Sequence, residues 1–266
     1  MNLGLTGNVI VVTGGASGIG AAITRACVAE GARVVVLSRL SAGVPEFMEE
    51  MQQSKSDVVL REIELAEVDS CRKAIESIAA DYGRIDALVN NAGVNDSVGL
   101  AGGTPERFEQ SLRVNLLPAY VLTHYALPWL KQSRGTIVNI ASKVAMTGQG
   151  NTSGYAASKG GLLALTREWA AELLSAGIRV NAVVPSEVMT PLYESWLQTL
   201  DRPTETLARI EAQIPLGQRM TRTDEIAAAV VFLLSPTQSG HTTGQQLVVD
   251  GGYVHLDRML TAPPLS

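Results

Sequence analysis

The chain has 266 residues, of which 46% are hydrophobic, and 21 Lys and Arg stand against 26 Asp and Glu for a formal charge of −5. That is enough apolar material for a sizeable core in one large domain or two small ones. The acidic balance, with no basic stretch, argues against nucleic acid as a partner.

The N-terminus Met-Asn-Leu-Gly-Leu-Thr has neither a basic nor an apolar leader segment, and the apolar run 227–234 is too short to cross a bilayer. A cytoplasmic protein with no membrane association is expected. Cys27 and Cys71 read as two reduced, buried thiols, and the three histidines at 124, 241 and 255 have no metal-ligand spacing.

Short β-branched runs alternate with helical patterns along the chain. Strands are predicted at Val9–Val12, Arg33–Leu37, Val58–Ile63, Ala87–Val89, Thr136–Ile140, Arg179–Val184 and Gln246–Val249. Their nearly unbroken apolar character suits strands covered on both faces. Helices are predicted at 19–29, 70–81, 106–130, 155–175 and 224–234, with Asp69 and Thr223 as N-caps and Gly31, Gly83 and Gly177 as stops. This alternation specifies an α/β fold built on a parallel sheet, in a single domain spanning 1–266. Between the last two strands, the segment 185–215 carries four prolines and helical stretches at 192–200 and 205–213. It is expected to form a lid over the site.

The first strand runs into Thr13-Gly-Gly-Ala-Ser-Gly-Ile-Gly20 and then a helix. Glycines at 14, 18 and 20 suit a tight turn that lets the backbone approach a pyrophosphate, and the helix N-terminus offers free N–H donors. A dinucleotide cofactor is expected here. The second strand ends at Ser38-Arg39, where an NAD site usually has a carboxylate for the adenosine ribose. Arg39 is able to pair with a 2′-phosphate, to extend into solvent, or to stack on the adenine. The absence of a carboxylate favours NADP, with NAD as the alternative.

Tyr155 and Lys159 stand one helical turn apart on a common face. An ammonium beside a phenol favours the phenolate, so a lowered pKa is expected for Tyr155, which suits proton transfer near neutral pH.

Taken together, the 13–20 turn, Asn90-Asn-Ala-Gly93, Asn115, Ser142 and Tyr155-x-x-x-Lys159 resemble the short-chain dehydrogenase/reductase family, and the likeness extends over essentially the whole chain to Asp250-Gly-Gly. The resemblance implies a Rossmann-type doubly wound sheet of about seven strands with helices on both faces. It implies Tyr155 as general acid/base, Ser142 on the reacting oxygen, Lys159 on the nicotinamide ribose, and Asn115 holding a water in a proton relay. It further implies cofactor contacts from Gly14, Ser17, Gly18, Ile19, Gly20, Ser38, Arg39, Glu64, Leu65, Asn91, Ala92, Gly93, Pro185, Val188 and Thr190. Glu64 stands where the family often has Asp, and Pro185-Ser186-Glu187 departs from a common Pro-Gly, placing a carboxylate where the substrate pocket usually begins.

Three loops are expected to meet at the C-terminal ends of the strands and to form a polar rim of Asn95, Gln149, Asn151, Glu187 and Tyr193, beside Ser142 and Tyr155. Such a rim suits a polyhydroxylated substrate better than an acyl chain. The runs Gly148–Tyr155, Glu187–Tyr193 and Asp250–Arg258 resemble the L-fucose dehydrogenase branch of the family. That implies oxidation of the C1 hydroxyl of a sugar, L-fucose foremost, to a lactone, in a homotetramer whose C-terminal tail, with His255 and Asp257, joins an oligomer contact. The competing readings are a 3-oxoacyl-thioester reductase and a non-catalytic NADP-binding sensor.

Overall fold

The computed structural model describes residues 2–256. In chain order the elements are β1 (Val9–Thr13), α1 (Gly18–Ala29), β2 (Arg33–Ser38), α2 (Val44–Gln53), β3 (Val58–Glu62), α3 (Val68–Tyr82), β4 (Ala87–Asn90), α4 (Pro105–Asn115), α5 (Leu117–Ser133), β5 (Thr136–Ile140), α6 (Ser153–Glu172), β6 (Arg179–Pro185), α7 (Pro191–Leu197), α8 (Pro203–Ala212), α9 (Thr223–Leu234) and β7 (Gln246–Val249). The seven strands form one sheet in the order β3-β2-β1-β4-β5-β6-β7, and every pairing is parallel.

Strand alternation divides the interior into two cores. Ile10, Val12, Val34 and Val36 face one side and pack with Ile23 and Cys27 of α1, Phe47 and Met51 of α2, and Ile226 and Val230 of α9. Val9, Val11, Val35 and Leu37 face the other side, against Ile75 and Ile78 of α3, Leu122 and Leu130 of α5, and Leu162 and Trp169 of α6. Burying each such Val, Leu or Ile side chain is worth about 1.5–3 kcal/mol. The chain reverses its direction of winding between β1 and β4, and in open parallel sheets ligands bind outside the strand ends at that reversal.

Several boundaries differ from the sequence reading. The stretch 106–130 is two helices, interrupted at Leu116 (φ −119°, ψ −49°). Pro118 explains the break, because its ring cannot donate a hydrogen bond and would collide with the carbonyl four residues earlier. The helix expected over 155–175 ends at Glu172 and is followed by a single tight turn, Leu174–Ala176. Asp69 is not an N-cap: Glu67 holds that position, and Asp69 lies in the first turn, paired with Arg72 and Lys73. Thr223 is the first helical residue rather than the cap, and Glu225 from inside α9 accepts the Arg222 N–H at 2.8 Å. Gly83 does end α3 in the left-handed region (φ 67°). α2 was not anticipated, although Val44, Phe47 and Met51, at helical spacing behind Pro45, form its buried face.

Both cysteines are buried and free. Among the described residues, no helix is long and apolar enough to cross a membrane. Asp257 lies outside the described residues, and His255 is exposed.

Candidate active site

The glycine turn leaves β1 and enters α1 with little room for side chains. A Cβ on Gly20 would stand 2.1 Å from the Gly14 carbonyl oxygen, and one on Gly18 would stand 3.2 Å from Thr190. The turn is therefore folded tightly on itself and touches the start of the 185–215 segment. Ser17 precedes α1 with extended backbone and makes no side-chain cap, and the first turn of α1 carries no acidic residue. The first N–H groups of α1 are thus available to an anion, and no carboxylate repels one. This turn fits the pyrophosphate of a dinucleotide.

The Asn90-Asn-Ala-Gly93 segment at the end of β4 clamps that turn. Thr13 Oγ1 accepts the N–H groups of Asn91 and Ala92, each at 2.9 Å, and the Asn91 amide donates to the Thr13 carbonyl at 2.9 Å. The side chain of Asn91 is therefore committed to the turn, and this segment presents backbone to any neighbouring ligand. Asn90 points inward and donates to Asn139 at 2.9 Å, and Asn139 donates to Thr166 of α6 at 2.9 Å. At about 1 kcal/mol net per hydrogen bond, this buried chain ties α6 to the centre of the sheet in a fixed orientation.

α6 carries Tyr155 and Lys159. Tyr155 lies within interacting reach of Ser142, which stands two residues beyond the end of β5. Lys159 is 2% exposed, and its ammonium donates to the Ile140 carbonyl at 2.8 Å and lies 5.6 Å from the centre of the Tyr155 ring. Asn115 ends α4, where the break before Pro118 lets it turn inward. Its Oδ1 accepts the Val94 N–H at 2.7 Å. A Cβ on Gly93 would meet Asn115 Oδ1 at 3.0 Å and Lys159 Nζ at 3.1 Å, so Asn115 and Lys159 converge on one point. Four residues from three separate segments, the end of α4, the loop after β5 and α6, meet within one cluster.

The electrostatics correct the sequence expectation for Tyr155. Burial pushes its phenol up to about 12, and the Ser142 hydrogen bond only partly opposes this. Burial likewise draws the Lys159 ammonium down to about 8. Desolvation disfavours both charged forms. In this state Tyr155 is a proton donor, and Lys159 titrates just above neutrality.

At the end of β2, Ser38 donates to the Arg39 carbonyl at 3.1 Å, and Arg39 lies 3.7 Å from Glu64. Two open depressions, of about 730 and 600 Å³, flank this exposed pair. Leu65 accepts a bond from Cys71 through its carbonyl at 3.3 Å. Glu64 thus stands beside a guanidinium for which pairing with a phosphate, extension into solvent and stacking on the adenine were all open. The partly buried Ile19 packs against the core below the turn.

The polar rim is more dispersed than expected. Asn95 is exposed and accepts the Ser97 N–H at 3.2 Å. Gln149 and Asn151 are exposed, and Asn151 (φ 54°) lies against Gly99 in the loop after β4. Val188 bridges Thr221, while Thr190 caps α7 by accepting the Tyr193 N–H at 3.2 Å. Burial and the neighbouring Tyr253 push the Tyr193 phenol up to about 12. Glu187, following Pro185 and Ser186 at the end of β6, does not stand as a lone carboxylate. It is ion-paired with Lys143, the residue after Ser142, and both side chains are nearly buried. Lys143 was missed in the sequence. The available signal was a lysine beside Ser142 at one strand end and an acid at the next.

A family model described as enoyl-(acyl carrier protein) reductase matches residues 13–254. The L-fucose dehydrogenase of Mus musculus is 38% identical over 248 residues, covering 93% of this chain and 88% of that protein. A 3-oxoacyl-[acyl-carrier-protein] reductase of Thermotoga maritima is 35% identical, covering 94% of this chain and 99% of that protein. The crystal structure of the Cj0485 dehydrogenase superposes with a TM-score of 0.93 at 43% identity, covering 97% of this chain and 98% of that one.

Proposed function

The chain belongs to the short-chain dehydrogenase/reductase family and is an NAD(P)-dependent oxidoreductase acting on CH–OH groups, and on that premise we propose that it oxidises the C1 hydroxyl of a sugar, L-fucose foremost, to the lactone. The observation that carries the mechanism is the meeting of Lys159 and Asn115 at Gly93, with Tyr155 beside Lys159 and within reach of Ser142. When bound, the dinucleotide supplies the hydride acceptor. The 13–20 turn and the α1 N-terminus would hold its pyrophosphate, and Pro185, Val188 and Thr190 would border its nicotinamide end.

Ser142 Oγ and Tyr155 Oη hold the C1 oxygen between them. Tyr155 takes the hydroxyl proton as the carbonyl forms, so the enzyme works in this direction from the phenolate. Lys159, when charged, stabilises that phenolate, and Asn115 holds the outlet toward which the proton passes. Ser142, together with Tyr155 once it carries the proton, donates to that oxygen and stabilises the charge that develops on it. The segment 185–215, with α7 and α8, serves as a lid that excludes water from this step.

The polar residues Asn95, Gln149, Asn151, Glu187 and Tyr193, carried by the segments that leave β4, β5 and β6, support a sugar over a long acyl chain, as do the L-fucose dehydrogenase relatives. Arg39 supports NADP, although its contact with Glu64 leaves NAD in use as well. Exposed Phe108 and Tyr120 on α4 and α5 supply apolar surface for the expected tetramer. The second reading, 3-oxoacyl-thioester reduction, draws on the Thermotoga relative and on the description of the family model. A panel of aldoses and an acetoacetyl thioester, each assayed with NAD and NADP, separates the two. Turnover of L-fucose or a configurational relative is expected. Turnover of the thioester alone would overturn the sugar reading.

A further inference from the structure

Resting on the sugar reading, we propose that Lys143, Glu187 and Ser186 form a subsite that reads two adjacent ring hydroxyls of the substrate, with Tyr253 as its aromatic wall. The placement comes from the sheet. β5 and β6 are paired with Ile140 opposite Val183, so the residues that leave their ends emerge side by side. Ser142 and Lys143 come from one end, and Ser186 and Glu187 from the other. The subsite is therefore one residue away from the oxygen-binding Ser142.

The pair is almost fully withdrawn from water, with side-chain exposures of 8% for Lys143 and 12% for Glu187. Desolvating two charges costs as much as their attraction returns, so such a pair does little for folding. It does place a strong donor and a strong acceptor together in a fixed position. A vicinal diol presents the matching arrangement, since each hydroxyl both donates and accepts. Ser186 adds an independent sign. Its hydroxyl is enclosed without a hydrogen-bond partner, although it directly precedes Glu187. A buried orphan hydroxyl is costly unless a ligand satisfies it.

The aromatic component lies on the same spot. The Lys143 ammonium lies 4.2 Å from the centre of the Tyr253 ring, and Tyr193 neighbours Tyr253. The ammonium takes one face of Tyr253, and this contact fixes Lys143 in place for the hydroxyl edge of a pyranose. A 3-oxoacyl chain would instead leave the pair desolvated against methylenes, so the subsite selects against that substrate.

The test compares L-fucose with 2-hydroxytetrahydropyran, a cyclic hemiacetal with the same C1 chemistry and no other hydroxyl. It also uses the single-position deoxy analogues of L-fucose. For the unaltered enzyme, removing one hydroxyl of a single adjacent pair is expected to lower kcat/KM by roughly 10²-fold, chiefly through KM. Removing the remaining hydroxyl should have far less effect. Lys143→Met and Glu187→Gln should each reduce the preference for L-fucose over the hemiacetal by roughly 10²-fold. Equal, small losses at every position, or an unchanged preference in both variants, would overturn the subsite while sugar oxidation still stood. If the unaltered enzyme turned over neither the sugar nor the hemiacetal, the parent reading would fail and take the subsite with it.

Discussion

Lys159 should make the cofactor-free protein more stable as the pH rises from 8 to 10. Its ammonium is buried and drawn from an ordinary 10.5 to about 8. At 1.36 kcal/mol for each pH unit, that drop of about 2.5 is worth about 3 kcal/mol. The unfolded chain keeps this proton up to pH 10.5, whereas the native protein releases it near 8. Between those values the unfolded state binds more protons, so stability rises with pH at up to about 1.4 kcal/mol per unit. Below pH 8 both states are charged, and the native protein bears the whole penalty. Tyr155 acts in the opposite sense, since its native phenol keeps its proton to about 12, but that loss of stability begins only above pH 10. Cys27 and Cys71, raised to about 12 and 11, also oppose the rise above pH 9, so the comparison must be with a variant that shares them. Lys159→Met is that variant. It removes the charge and leaves the Ile140 carbonyl without its donor, at a cost of about 1 kcal/mol. At pH 7 it should therefore be more stable than the unaltered protein by about 2 kcal/mol, while losing activity. Urea unfolding at fixed protein concentration from pH 7 to 10 measures both curves. Parallel curves between pH 8 and 10, or a variant less stable at pH 7, would refute the argument.

Gly20→Ala would place a Cβ 2.1 Å from a backbone oxygen that no rotamer change can move aside; cofactor affinity, read by quenching of tryptophan fluorescence, should fall at least 10-fold from the distorted turn. Tyr155→Phe should lower the oxidation rate by about 10³-fold with cofactor affinity within about 3-fold, since a general acid/base is worth 10²–10⁴. In the unaltered enzyme, oxidation should accelerate with rising pH as the small phenolate fraction of Tyr155 grows, while reduction, which uses the neutral phenol, should hold nearly level, in initial rates measured from pH 6 to 10. Arg39→Ala should lower kcat/KM for NADP relative to NAD by about 10-fold, and Glu64→Gln should raise it, because the carboxylate competes with a phosphate for the same guanidinium.

The parallel sheet was legible because its strands are buried on both faces and show it as continuous apolar runs. The glycine turn was legible because close backbone approach leaves few residue choices. What escaped depended on pairing across space. Lys143 and Glu187 are 44 positions apart and meet only because β5 and β6 are neighbours. The pKa of Tyr155 was misread for a related reason. Adjacency in sequence revealed the ammonium, but the burial that outweighs it follows from packing. The break at Leu116 was readable from Pro118 and was obscured by the apolar pattern running through it. α2 shows the reverse case, a short helix whose buried face of Val44, Phe47 and Met51 was present in the sequence.

Because every strand pairing is parallel, no pair of strands can be joined by a tight hairpin. β1 and β4, which flank the winding reversal, are separated in the chain by two other strands and three helices. Loop-closure entropy must be met for each such pairing before its burial repays it, so refolding should be slow, and its intermediates should expose unpaired strand edges. Tyr155 and Lys159 reach Gly93 and Asn115 only once β4 and β5 have joined. Recovery of activity from denaturant should therefore trail the recovery of helical signal, and no fragment lacking either half of the sheet should retain partial function.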